Sequence, residues 1–89
     1  MVTIEFAPSL RRHVDCATQQ VAAGSLREAL EAALMVAPAL AHYVFDDQRQ
    51  VRKHVALFVN QHMVQDRSLA GLAVQNGDKV LVIQALTGG

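Results

Sequence analysis

Residues 76–89 read NGDKVLVIQALTGG, and this stretch decides the fold. Asn76-Gly77-Asp78 is a turn signal, because Asn and Gly tolerate positive φ. The run that follows is apolar on both parities, with Val80 and Val82 on one side and Leu81 and Ile83 on the other. A strand of that kind needs both faces covered, which suits the centre of a sheet. Three residues after Leu86 the chain reaches Gly89, so the strand leads almost directly into two bare glycines.

Working outward, a central last strand needs neighbours. VTIEF at residues 2–6 alternates strictly, with Val2, Ile4 and Phe6 on one face and Thr3 and Glu5 on the other. HVDCATQQV at 13–21 reads as a second strand, with Val14, Cys16 and Thr18 on one side, so the two form an N-terminal hairpin. The clearest helix begins after Ser25, an N-cap whose capping box is completed by Glu28. Leu26, Ala29, Leu30, Ala33, Leu34 and Ala37 form its apolar face, opposite Arg27, Glu28 and Glu31. Pro38 stops this helix and opens a short second turn through Leu40, Tyr43 and Val44.

DDQRQVRKH is a solvated loop, and VALFV at 55–59 is a β-branched and aromatic strand. Asn60-Gln61 reads as a turn and HMV as a brief further strand. RSLAGLAV is a compact connection with a helical turn on Leu69 and Leu72. The order is β-β-α, then β-(short β)-β. It predicts an α+β fold, a mixed four- to five-stranded sheet packed on one main helix, with the first and last strands adjacent at its centre. That is the β-grasp arrangement. The domain is expected to span residues 1–86, with 87–89 as a flexible tail.

Composition narrows the chemistry. Eighty-nine residues with a 52% hydrophobic fraction make one globular domain. Eight basic and eight acidic residues balance, and no basic stripe suited to nucleic acid stands out. The longest apolar run, ALMVAPALA, is broken by Pro38 and is too short for a membrane span. VTIEF begins without a charged leader and apolar run, so no secretory signal is expected and the cytoplasm is the default compartment.

The usual catalytic and metal-binding signatures are missing. His13, His42, His54 and His62 fall in four segments and lack zinc-site spacing, so no metal is expected. Cys16 sits beside Val14 in an apolar setting that favours packing over reactivity. Ser25 is explained by capping, and Gly24 and Gly71 are too isolated for a phosphate loop. No convergent acid, base or nucleophile appears, so the chain is not expected to be an enzyme.

The tail is the exception. Without a Cβ, Gly88 and Gly89 can lie extended in a channel closed to larger residues. A carboxylate on such a thread can be delivered into another protein's active site, where its position governs the rate.

NGDKVLVIQALTGG resembles the C-terminus of the MoaD/ThiS family of ubiquitin-like sulfur carriers. FAPSLRRHV resembles the first hairpin of the molybdopterin-synthase small subunit, and RKHVALFVNQ is similar to the family's third strand and Val-Asn turn. The resemblance implies that an E1-like enzyme adenylates the Gly89 carboxylate with Mg-ATP and that sulfur transfer then gives a thiocarboxylate. A synthase takes that sulfur for molybdopterin, cysteine or a sulfur-containing secondary metabolite. Gly88 gives clearance, and Leu86 with Thr87 forms the neck. On this resemblance the chain itself is expected to be a protein co-substrate that binds no cofactor.

Partner docking is expected on the sheet face away from the helix, through Leu81 and Ile83, with Met63 matching a partner-face position in the molybdopterin branch. Two other readings share the fold: a ubiquitin-like modifier joined to lysines of targets, and a β-grasp interaction module with an inert tail.

Overall fold

The computed structural model describes residues 1–7 and 18–84. Their strands are β1 (Val2–Phe6), β2 (Gln19–Val21), β3 (Gly24–Ser25), β4 (Val55–Val59), β5 (His62–Met63), β6 (Ala73–Val74) and β7 (Lys79–Gln84). The helices are α1 (Leu26–Leu34) and α2 (Pro38–Val44). Five strands form one mixed sheet in the order β2-β1-β7-β4-β5, and β3 pairs with β6 separately. β7 is central, as its two-sided apolar pattern predicts. It runs parallel to β1, with Ile4 opposite Val80, and antiparallel to β4, with Leu57 opposite Val82. The N-terminal hairpin is also present, β1 pairing antiparallel with β2.

Strand parity builds the core. Val2, Ile4, Phe6, Val55, Leu57, Val80 and Val82 are buried in one cluster with the apolar side of α1, namely Leu26, Ala29, Leu30, Ala33 and Leu34. α1 starts where the capping box places it: the Ser25 hydroxyl accepts the Glu28 backbone N–H at 3.0 Å. Glu28 closes the box by a variant route, its carboxylate accepting from the Ser25 hydroxyl at 3.1 Å. Pro38 stands at the first position of α2, where its missing N–H costs nothing. α2 adds Leu40 and Val44 to the core.

Two expectations need correction. RSLAGLAV carries no helical turn: Leu69 takes a positive φ of 60° and is buried, and Ala73–Val74 becomes β6. The Leu69–Leu72 spacing mimics one helical turn, but so short a segment has too few backbone bonds to offset nucleation. The second strand is also shorter than HVDCATQQV: Thr18 precedes it and is exposed. Val14 and Cys16, the expected boundary after residue 86, and the tail residues Leu86, Thr87, Gly88 and Gly89 lie outside the described residues.

Polar side chains tie the loops down. Arg67 donates to the carbonyls of Val51, Val55 and Lys53, and to that of Arg52. In DDQRQVRKH, Asp46 accepts the backbone N–H groups of Gln48 and Gln50, Arg49 pairs with Glu31, and the Arg52 Nε–H donates to the His42 carbonyl. Among the described residues, no helix is long and apolar enough to cross a membrane, and no three His, Cys, Asp or Glu side chains gather as a metal-binding group.

Candidate functional site

Alternation along β7 divides its side chains between two environments. Val80 and Val82 point to α1 and are fully buried, while Leu81 and Ile83 stand on the other face, half-buried. Register sets Phe58 and Glu5 beside Leu81, and Ala56 beside Ile83. Together Phe58, Leu81 and Ile83 form the apolar floor of a groove of about 680 Å³. Glu5, Lys79, Asn60 and Gln61 border it. Glu5 and Lys79 face each other across their paired strands, with Lys79 Nζ 3.7 Å from Glu5 Oε1.

The end of the groove farther from Gln84 is held by a clasp between two turns. The Asn60 side-chain amide donates to Asp78 at 2.8 Å, and its oxygen accepts the Lys79 backbone N–H at 3.0 Å. The Asn60 backbone N–H donates to the Lys79 carbonyl at 2.9 Å. Asp78 also accepts the Gln75 N–H at 2.8 Å. That backbone bond, followed by the Asn60 amide, holds the Asp78 carboxyl below the usual carboxylate range. Gly77, with φ of 94°, makes the turn and donates its N–H to the Met1 carbonyl at 3.0 Å.

Of the residues expected to meet partners, the structure brings Leu81 and Ile83 together in this groove. Met63 is on the same face by register with Phe58, but it does not line the groove. It stands 49% exposed on β5 and borders a smaller hollow beside Val59 and Leu72. Gly89, Gly88, Thr87 and Leu86 lie outside the described residues. The last described residue, Gln84, pairs with Val55 at the end of the sheet opposite the clasp.

Phe58, Glu5, Lys79, Asn60 and Gln61 are groove residues that the sequence reading did not select. Parity could have found Phe58: once Leu57 faces the helix, Phe58 must face away. The approach of the Asn60 turn to Lys79 has no local signal, because it joins segments 19 residues apart.

The chain matches the ThiS family over residues 14–89. Among solved structures it is similar to SAMP1, small archaeal modifier protein 1, of Haloferax volcanii, with 20% identity and a TM-score of 0.76 over 99% of this chain and 98% of that one. A chain of the Amycolatopsis orientalis BexX/CysO complex is 17% identical, with a TM-score of 0.75 and full coverage of both chains. Urm1 of Sulfolobus solfataricus is 13% identical, with a TM-score of 0.69 over 92% of this chain and 97% of that one. At these identities the structural likenesses establish the ubiquitin-like β-grasp fold. No curated protein sequence gives a significant match.

Proposed function

The chain belongs to the ThiS family, and from that premise we propose that it is a sulfur carrier, a protein co-substrate whose reacting group is the carboxylate of Gly89. An E1-like enzyme binds the groove face of the sheet and receives the tail. The Gly89 carboxylate attacks the α-phosphate of Mg-ATP and pyrophosphate leaves. A sulfur nucleophile then attacks the acyl carbon, AMP leaves, and the product is a thiocarboxylate. A sulfur-accepting synthase consumes it. On this reading the carrier works in the cytoplasm, contributes no catalytic side chain and binds no cofactor of its own. Gly88 supplies clearance, and Thr87 and Leu86 form the neck.

The observation that supports this reading best is the extent of the family match, which runs through Gly88 and Gly89, four and five residues beyond the end of the central strand. The groove adds to it: Leu81 and Ile83 are apolar, accessible and on the strand that leads to the tail. Burying such a surface against a partner supplies association energy, whereas leaving it in water does not.

Intact-protein mass spectrometry tests the reading, after incubation with an E1-like enzyme, Mg-ATP and a sulfur donor. The expected result is a mass gain matching replacement of one oxygen by sulfur, lost when Gly89 is deleted. No gain with an enzyme that does adenylate the chain counts against sulfur carriage. A second reading, a modifier joined to lysines, draws on the similarity to small archaeal modifier protein 1. It predicts isopeptide adducts in cells, which a pure carrier does not leave. An interaction module with an inert tail predicts that deleting Gly89 leaves partner function intact.

A further inference from the structure

Among the described residues, four residues other than glycine hold a positive φ: Arg49 at 63°, Asn60 at 49°, Gln61 at 74° and Leu69 at 60°. That backbone is strained for any residue with a Cβ, least so for Asn, and it persists where the surroundings compensate it. Three of the four have an evident compensation inside the fold. Leu69 is buried in the core, Arg49 pairs with Glu31, and Asn60 forms the clasp with Asp78 and Lys79.

Gln61 differs. It is exposed, and its side chain bonds to no described residue. It also occupies the second position of a two-residue hairpin loop with both φ values positive, a position where glycine is strongly preferred. Among the described residues, none accounts for a glutamine there.

The groove does. Gln61 lines it, and the other polar groups at its border are engaged. The Asn60 amide is spent on Asp78 and Lys79, while Glu5 and Lys79 face one another. Gln61 thus brings an uncommitted side-chain amide, donor and acceptor together, to the edge of an apolar floor. A neutral amide is also cheaper to desolvate on docking than a charged group.

We propose that Gln61 is a partner-recognition residue of the groove, its side-chain amide hydrogen-bonding a backbone N–H or C=O of the docked adenylating enzyme. The inference rests on the docking reading given above.

Gln61→Gly and Gln61→Ala separate recognition from structure. Each is made in the full chain and compared with the parent for Tm and for Kd toward an E1-like enzyme that supports ATP–pyrophosphate exchange with the parent. Gln61→Gly relieves the strained backbone, so Tm should rise while affinity falls roughly three- to tenfold. Gln61→Ala keeps the strain and removes the amide, so Tm should stay near the parent while affinity falls by a similar factor. A merely structural residue would move Tm and affinity in the same direction. Unchanged affinity in both variants overturns the proposal. Leu81→Ser, measured alongside, isolates the underlying reading. If it weakens binding while both Gln61 variants bind normally, only the role of Gln61 fails. If it also leaves affinity unchanged, the docking face itself is misplaced and the proposal fails with it.

Discussion

Asn60 and Asp78 show how one contact can link two turns and leave a titratable trace. Asp78 accepts from the Gln75 N–H and the Asn60 amide, and both bonds favour its ionised form. Because its folded pKa is depressed, the stabilisation is fully present above the ordinary aspartate value of about 4 and is lost as pH falls through the lower folded value. Asp78→Asn keeps the shape and removes the charge. The Tm advantage of the parent over this variant should therefore hold at neutral pH and shrink on acidification below about pH 4. An advantage independent of pH would show that the charge of Asp78 is irrelevant to the clasp. Asp66 follows the same logic, its carboxyl held low by the Ser68 hydroxyl and then by the Ser68 backbone N–H.

At the scale of an element, β7 places two opposite roles one residue apart. Val82 is fully buried against α1, whereas Leu81 is half-buried in the groove. Val82→Ala should cost about 2–3 kcal/mol in urea unfolding, through lost burial and the cavity left behind. Leu81→Ser should cost much less stability and should weaken partner binding instead. If Leu81→Ser proved as destabilising as Val82→Ala, the outward face of β7 would belong to the fold and not to an interface. Parity alone divided β7 into Val80 with Val82 and Leu81 with Ile83, and α1 was legible from Ser25, Glu28 and the apolar spacing that follows; which set meets α1 came from the packing. RSLAGLAV was not legible, because its outcome depends on Leu69 entering the core in a left-handed conformation and on Ala73 pairing with Ser25. Neither partner is near it in sequence.

For the molecule as a whole, the decisive pairing joins the two ends of the described chain. β1 and β7 are parallel neighbours although nearly the entire sequence lies between them, and β4 flanks β7 on its other side. Such a strand cannot open without disrupting the sheet. Amide exchange of Val80 and Val82 should therefore match the global unfolding free energy from urea, while the short edge strand β5 exchanges by smaller openings. Exchange of β7 far below the global value would deny it that central mechanical role. Sequence alone was enough for the main strands β1, β4 and β7, for the start and apolar face of α1, and for the central place of β7. These follow from periodicity, capping and burial on both parities, which are properties of neighbouring residues. Only the tertiary structure decided the groove, since Glu5, Phe58, Gln61 and Leu81 come from three separate segments. Only it revealed the Asn60–Asp78 clasp and the strained Gln61 at the groove's edge. The physical reason is that hydrophobic patterning specifies which face of a strand is buried, whereas strand order and register specify which distant side chains share the other face.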